Sequence, residues 1–200
     1  RARLSPRGVR RDAAGIARGH VLEEGERVVV LSVQEEGPGL GDLLAEGTRL
    51  AARKIPGSEH FALHIKGMEV PTQEVRGLKA WGLAWAVASR GGDHCRAFPV
   101  METTWSPQQA KAFFGSEKAA DRFAYEGKAA MVKWAEDFGA IIDSLGICKI
   151  AYQAMGLTPD LIAKAFQAVT GIEMDGGKIL TAGERINNLE RLLNLKLGLS

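Results

Sequence analysis

The chain is poor in cysteine, in aromatic residues and in net charge. Its 200 residues include two cysteines, Cys95 and Cys148. Two is too few for a disulfide framework and fits a reducing compartment, so a cytoplasmic protein is expected. Neither stands in a CxxC pair, and the chain alone cannot supply a complete thiolate set for a zinc or iron–sulfur site. No run of about 18 apolar residues occurs, which excludes an apolar membrane-spanning helix and predicts no membrane partner. With 26 basic and 24 acidic residues the net charge is +2, too mild to argue for nucleic acid. What is present is the composition of a globular protein, 46% hydrophobic and 25% charged. Its length suits one ordinary domain or two small ones, burying roughly 70% of the unfolded surface.

The charge is uneven. Residues 1–20 hold six arginines against Asp12. Such a start suits a transit peptide or a nucleic-acid arm. It lacks the interleaved aromatics that base stacking needs, so no nucleic-acid partner is expected. Residues 1–36 read as loop or disorder apart from a short β-branched run, Val28 to Val33, which predicts a strand. The first residue is Arg1 rather than methionine, which suggests a fragment or a processed product.

Periodicity predicts a mainly α fold with one or two short strands. Leu40, Leu43, Leu44 and Leu50 line one side of a helix over 40–53, stopped by Pro56-Gly57. Phe61, Leu63 and Ile65 alternate with polar or small neighbours and predict a strand ended by Gly67. Residues 79–89 are apolar nearly all round, as in a buried helix. A short helix over 107–115 has Pro107 in its first turn. A long helical region over 117–144, with Gly127 as a weak point, ends at Gly146. Thr158 is the expected N-cap of a helix running to Thr170. A last helix over 181–197 has Ile186, Leu189, Leu192 and Leu193 on one face. No internal repeat is found.

Three constellations could carry chemistry. His60 and His64 have the i,i+4 spacing of zinc ligands on a helix, but the pattern around them is a strand and no HExxH follows. The loop from Arg90 to Arg96 combines two glycines, which let backbone approach a bound group, with Asp93, His94, Cys95 and Arg96. Its plainer reading is a helix C-terminus with solvated charges. In Asp143-Ser144-Leu145-Gly146-Ile147-Cys148-Lys149 a helix ends and the chain reverses. The Asp143 carboxylate could accept two parallel N–H bonds from an amino-pyrimidine edge, and Cys148 is a soft donor suited to iron. The plainer reading is a buried structural cysteine at a helix end.

Four segments, in order, resemble the tungsten-dependent aldehyde ferredoxin oxidoreductases. They are GLGDLLAEGTRLAARKIPGSEHFALHIKGMEVP (39–71), RGLKAWGLAWAVASRGGDHCRA (76–97), EGKAAMVKWAEDFGAIIDSLGICK (126–149) and GERINNLERLLN (183–194). The resemblance covers about residues 37–196. It implies helical domains 2 and 3 of that fold, with residues 37–104 in the middle domain and 105–200 in an incomplete C-terminal one. Family members bind tungsten through the dithiolenes of two pterins, beside a [4Fe–4S] cluster. They oxidise aldehydes to carboxylic acids and pass electrons to ferredoxin.

The resemblance carries roles onto particular residues. Asp143 would hydrogen-bond a pterin, with Ile147 standing where the motif usually has leucine. Cys148 would be the last of four cluster ligands. His94 would lie near the tungsten and move the substrate's proton or orient its carbonyl. Arg96 would pair with pterin or phosphate, beside Asp93 in the same loop. The departures also count. The family's CxxCxxxC run and its pterin-cradling first domain are absent, Glu74-Val75 replaces a common Asp-Pro, and Cys95 replaces a usual apolar residue. The chain is therefore not expected to bind a cluster or turn over aldehyde by itself. It would need a cofactor domain or subunit from elsewhere. The competing reading is a non-catalytic helical interaction or scaffold domain derived from the family, with an apolar segment such as 79–89 facing a partner.

Overall fold

The computed structural model describes residues 40–150 and 156–199. The strand expected over 28–33 and the Arg-rich start lie outside them. Two compact units divide at Leu63 and His64. Among the described residues there are eight α-helices and one two-stranded sheet, the mainly helical fold that was expected.

In the first unit the expected helix over 40–53 is two helices, α1 (Leu40–Ala45) and α2 (Thr48–Lys54). Gly47 between them has φ 83°, in the left-handed region, so the chain turns where leucine spacing alone predicted continuity. Ala51 and Ala52 are buried. A single 3-10 turn, Glu59–Phe61, follows, so His60 sits in a turn rather than on a strand face.

The second unit opens with a minimal hairpin, β1 (His64–Ile65) antiparallel to β2 (Met68–Glu69). The expected strand over 61–66 shrinks to its last residues. Lys66 and Gly67 both have positive φ, 56° and 88°, as a two-residue turn matched to strand twist requires. Helix α3 (Lys79–Val87) buries Ala80, Trp81, Ala84 and Trp85. The apolar segment expected to face a partner is thus mostly turned into this unit's own core. Short α4 (Met101–Thr104) and α5 (Pro107–Phe114) follow, the latter with Ser106 and Gln109 in a reciprocal capping box.

The long region over 117–144 is interrupted. A 3-10 turn, Glu117–Ala120, is separated from α6 (Lys128–Ser144) by a loop ending at Gly127, where φ is 80°. A Cβ at Gly127 would stand 2.7 Å from the Ala119 Cβ, so the break is also a close approach of backbone. Helix α6 is the spine of the unit. Its N-terminal half packs Met131, Val132 and Ala135 into an alanine-rich core with α3, α4 and α5. Its C-terminal half packs Phe138, Ile141 and Ile142 against α7 (Pro159–Thr170) and α8 (Gly176–Lys196). Thr158 caps α7 as expected, accepting from the Leu161 N–H at 3.2 Å. Helix α8 starts five residues before its expected start, because Asp175 accepts the Lys178 N–H at 2.8 Å and caps it. A side chain at Gly183 would strike the Asp137 carbonyl, so the glycine lets α8 and α6 meet backbone to backbone.

The leucine face of α8 is not its packed face. Leu189, Leu192 and Leu193 are exposed, while Ile179, Gly183 and Ile186 meet α6. The polar stripe of Asn187, Glu190 and Asn194 turns towards the rest of the unit. A cleft of about 380 Å³ between α3 and α6 has Lys79, Lys128 and Tyr125 as its polar groups, with no carboxylate, thiol or imidazole.

Candidate functional site

The end of α6 explains where Asp143 and Cys148 stand. Gly146 adopts φ 68°. Its N–H donates to the Asp143 carbonyl at 3.0 Å, and the Ile147 N–H donates to the Ile142 carbonyl at 3.0 Å. These are the paired bonds of a Schellman ending, completed by Ile147 packing into the same core as Ile142. The reversal leaves the Cys148 thiol free and exposed just beyond it.

Asp143 is approached from two sides by cations. Arg96 donates to its Oδ2 at 3.4 Å and Lys149 to its Oδ1 at 2.9 Å. Lys149 is buried and also donates to the Gly139 carbonyl. Burial lowers the Lys149 pKa, with the Asp143 carboxylate acting in the opposite direction.

Arg96 is the hub. Its side chain is 6% exposed. Besides Asp143 it reaches Asn187 Oδ1 and Glu190 Oε2, each at 2.6 Å. Ser89 donates to the same Glu190 oxygen at 2.6 Å, and Asn194 donates to the Ser89 carbonyl at 2.6 Å. Asn187 in turn donates to the buried Asp137 at 3.0 Å. The inward stripe of α8 is polar because its partners are the two ends of the 89–96 loop. A guanidinium with its donors in a fixed fork suits this junction of three elements.

The loop is held on its flanks by glycines. A Cβ at Gly91, where φ is 113°, would lie 2.5 Å from the Ile65 carbonyl, and one at Gly92 would touch Val70. On the helix side, a Cβ at Gly139 would strike the Arg96 carbonyl. Hairpin and α6 therefore grip the loop through contacts that only bare backbone permits. Within it Asp93, His94 and Cys95 are half-buried. Asp93 Oδ1 accepts the Cys95 N–H at 2.8 Å, and Oδ2 pairs with Arg90. The Cys95 sulfur lies 3.2 Å from His94 Nε2. Burial, then the Asp93 charge, pushes the Cys95 thiol pKa up. The His94 ring lies 6.0 Å from Phe98, which meets Trp81 edge-on at 5.3 Å.

Of the residues singled out in the sequence, Arg96 and Asp143 meet directly. Asp93, His94 and Cys95 form one group, and Cys148 makes no hydrogen bond among those of the described residues. Sequence reasoning missed Lys149, Ser89, Asn187 and Glu190. Lys149 could have been found as the residue after the cysteine motif. Asn187 and Glu190 were within a quoted segment, but nothing in the sequence pairs them with Arg96.

Glu136 borders this network. Burial raises its pKa above the usual 4.5, more than Arg191 and Arg96 lower it. The folded chain therefore holds this proton to higher pH than the unfolded chain. Its contribution to stability is greatest below about pH 4.5 and is lost as pH rises through the folded value. Glu136→Gln should flatten that decline and stabilise the chain at neutral pH. Urea unfolding of both proteins from pH 4 to pH 8 checks this.

A helical unit in which a loop, a helix end and a late helix converge on one arginine is the class of structure defined here. The chain belongs to the aldehyde ferredoxin oxidoreductase family, matching its description "Aldehyde ferredoxin oxidoreductase, domains 2 & 3" over residues 26–200. It is 34% identical over 162 residues to a tungsten-containing aldehyde ferredoxin oxidoreductase of Pyrococcus horikoshii, covering 80% of this chain and 25% of that protein. A protein of the same name from Thermococcus kodakarensis is 32% identical over 161 residues, with the same coverage. An aliphatic sulfonate oxidoreductase, WOR-like subunit, from Pyrococcus furiosus is 30% identical over 97 residues, covering 45% of this chain and 15% of that one. The chain spans about a quarter of the length of the first of these relatives.

The side chains present fit the family's cofactors unequally. A carboxylate offers about four acceptor positions, so Asp143, with one cation contact on each oxygen and 36% exposed, keeps capacity for an incoming N–H. A [4Fe–4S] cluster takes four thiolates. The sequence has two cysteines, and they lie in different elements, so the chain does not by itself hold a cluster's ligand set. No described helix is long and apolar enough to cross a membrane.

Proposed function

We propose that this chain is the helical, C-terminal portion of a tungstopterin oxidoreductase that converts aldehydes to carboxylic acids and passes the electrons to ferredoxin in the cytoplasm. The observation that carries this reading is the convergence of three separated segments on Arg96. Asp143, the 89–96 loop and the polar stripe of α8 form one charged junction beside an exposed thiol.

In the reaction an aldehyde and water give a carboxylic acid, two electrons and two protons. The tungsten–pterin centre, when bound, would take the electron pair. Asp143 would accept N–H bonds from a pterin edge. Arg96 and Lys149 would keep that carboxylate aimed. His94, with Asp93 beside it, would take a proton or orient the carbonyl. Ile147 would hold the turn against the core so that Cys148 projects as one cluster ligand. The other three cluster ligands and the base under the cofactor would come from a domain or subunit outside this sequence, so the chain alone would be inactive.

The test is co-expression with a partner carrying the CxxCxxxC run and the pterin-cradling domain, followed by tungsten and iron analysis. Cys148→Ser should lower bound iron, and Asp143→Ala should lower bound tungsten. A complex without a cluster, in which Cys148→Ser changes nothing, overturns the assignment. The alternative is a non-catalytic scaffold, favoured by the solitary thiol at the helix end and the exposed leucines of α8. A monomeric chain, well protected from hydrogen exchange and indifferent to the partner, would favour it.

A further inference from the structure

We propose that Asp93, His94 and Cys95 form a binding site for a divalent transition-metal ion of the zinc class, in the same loop whose His94 the proposed function uses. The three consecutive residues offer a carboxylate oxygen, an imidazole nitrogen and a sulfur, all within 4.8 Å of one another. A mixed oxygen, nitrogen and sulfur set suits borderline-soft zinc rather than magnesium or calcium.

The geometry is close to what such an ion needs. Zinc–nitrogen and zinc–sulfur bonds of about 2.0 and 2.3 Å at a tetrahedral angle place the two donors roughly 3.5 Å apart. His94 Nε2 and Cys95 Sγ stand 3.2 Å apart. Bringing the Asp93 oxygen inward completes three protein ligands, with water in the fourth position. The site is half-buried, so an ion can enter without unfolding. The loop is pre-shaped by Gly91 and Gly92 against the hairpin and by Gly139 on α6. Less ordering is then left to be done on binding than in a free tripeptide.

Two competing contacts must yield. Arg90 pairs with Asp93, but the Arg90 side chain is 49% exposed and can swing into water as the ion takes over the negative charge. The contact between Cys95 and His94 is replaced by two metal bonds. Cys95 coordinates as thiolate, and its proton passes to solvent. The Asp93 carboxylate and the Cys95 thiolate then balance the ion's two charges. Occupancy takes the imidazole out of use for proton transfer, so the ion would inhibit any chemistry that needs His94.

The site shares His94 with the proposed function, but its test reads metal binding and not aldehyde turnover. Metal-free reduced full-length chain is titrated with Co²⁺ and followed by absorption. The expected result is one Co²⁺ per chain, with a thiolate-to-cobalt charge-transfer band and the intense visible bands of a tetrahedral site, both erased by excess Zn²⁺. The Cys148→Ala chain should give the same spectrum, and the Cys95→Ala and His94→Ala chains should lose it. A wild-type chain with no thiolate band overturns the proposal, as does a band that persists in Cys95→Ala or disappears in Cys148→Ala. Should Cys95→Ala or His94→Ala fail to fold by circular dichroism, the wild-type and Cys148→Ala spectra still decide.

Discussion

Lys128→Met should cost about 3–5 kcal/mol of folding stability, a large part of what a domain of this size has to lose. Lys128 and Glu102 form an ion pair at 2.8 Å with side chains 3% and 0% exposed. The same Glu102 oxygen accepts the Ala80 N–H at 2.8 Å, and Lys128 also donates to the Ala119 carbonyl at 2.6 Å. Together they tie the start of α3, α4, the 3-10 turn at 117–120 and the start of α6. Removing the ammonium leaves a carboxylate in the core whose other oxygen, Oε2, is already buried without a hydrogen-bond partner among the described residues. Adding Glu102→Gln removes the stranded charge while keeping an acceptor for Ala80, so the double variant should recover a substantial part of the loss. By contrast Lys54→Met, at the exposed pair with Glu46, should change stability by no more than about 1 kcal/mol. Urea midpoints of the four proteins check all of this, and a Lys128→Met chain as stable as Lys54→Met would refute it.

Arg96→Met should cost about 3 kcal/mol and loosen the candidate site beyond that. It strips the shared cation from Asp143 and Glu190 and a donor from Asn187. Those two carboxylates are each more than a third exposed, so water relieves part of the penalty, and the expected cost is smaller than at the Lys128 pair. The specific consequence is local. Amides of residues 89–98 should exchange faster with solvent by more than the change in global stability explains. Glu190→Leu combined with Arg96→Met should cost less than the sum of the two single changes, because both act on one network. Additive costs with unchanged loop exchange would mean that Arg96 is merely packed.

Much of the helical pattern was readable because local chemistry specifies it. Ser106 with Gln109, Pro107, Thr158 with Pro159, and the glycines at 115, 146 and 171 are caps and stops whose bonds close within a few residues. The interruption in 117–144 was readable only as a weak point, and the one at Gly47 in 40–53 was not read at all. A glycine in an apolar pattern marks a possible break, and whether the chain turns there depends on what the backbone meets, as Ala119 shows at Gly127. The hairpin shrank because its length is set by the loop packed on it, through Gly91 and Gly92, and not by alternation of side chains.

Family and class followed from the order of residues along the chain, because helix caps, turn glycines and family motifs are short-range signatures. The face of α8 that packs inward, and the pairing of Arg96 with Asp143, Asn187 and Glu190, required the fold. Leucine spacing pointed to the wrong side of that helix, since burying a polar stripe is favourable only when a buried guanidinium and a loop end wait for it. Such partners lie about fifty to a hundred positions apart in the sequence, and no periodicity reports a contact over that distance.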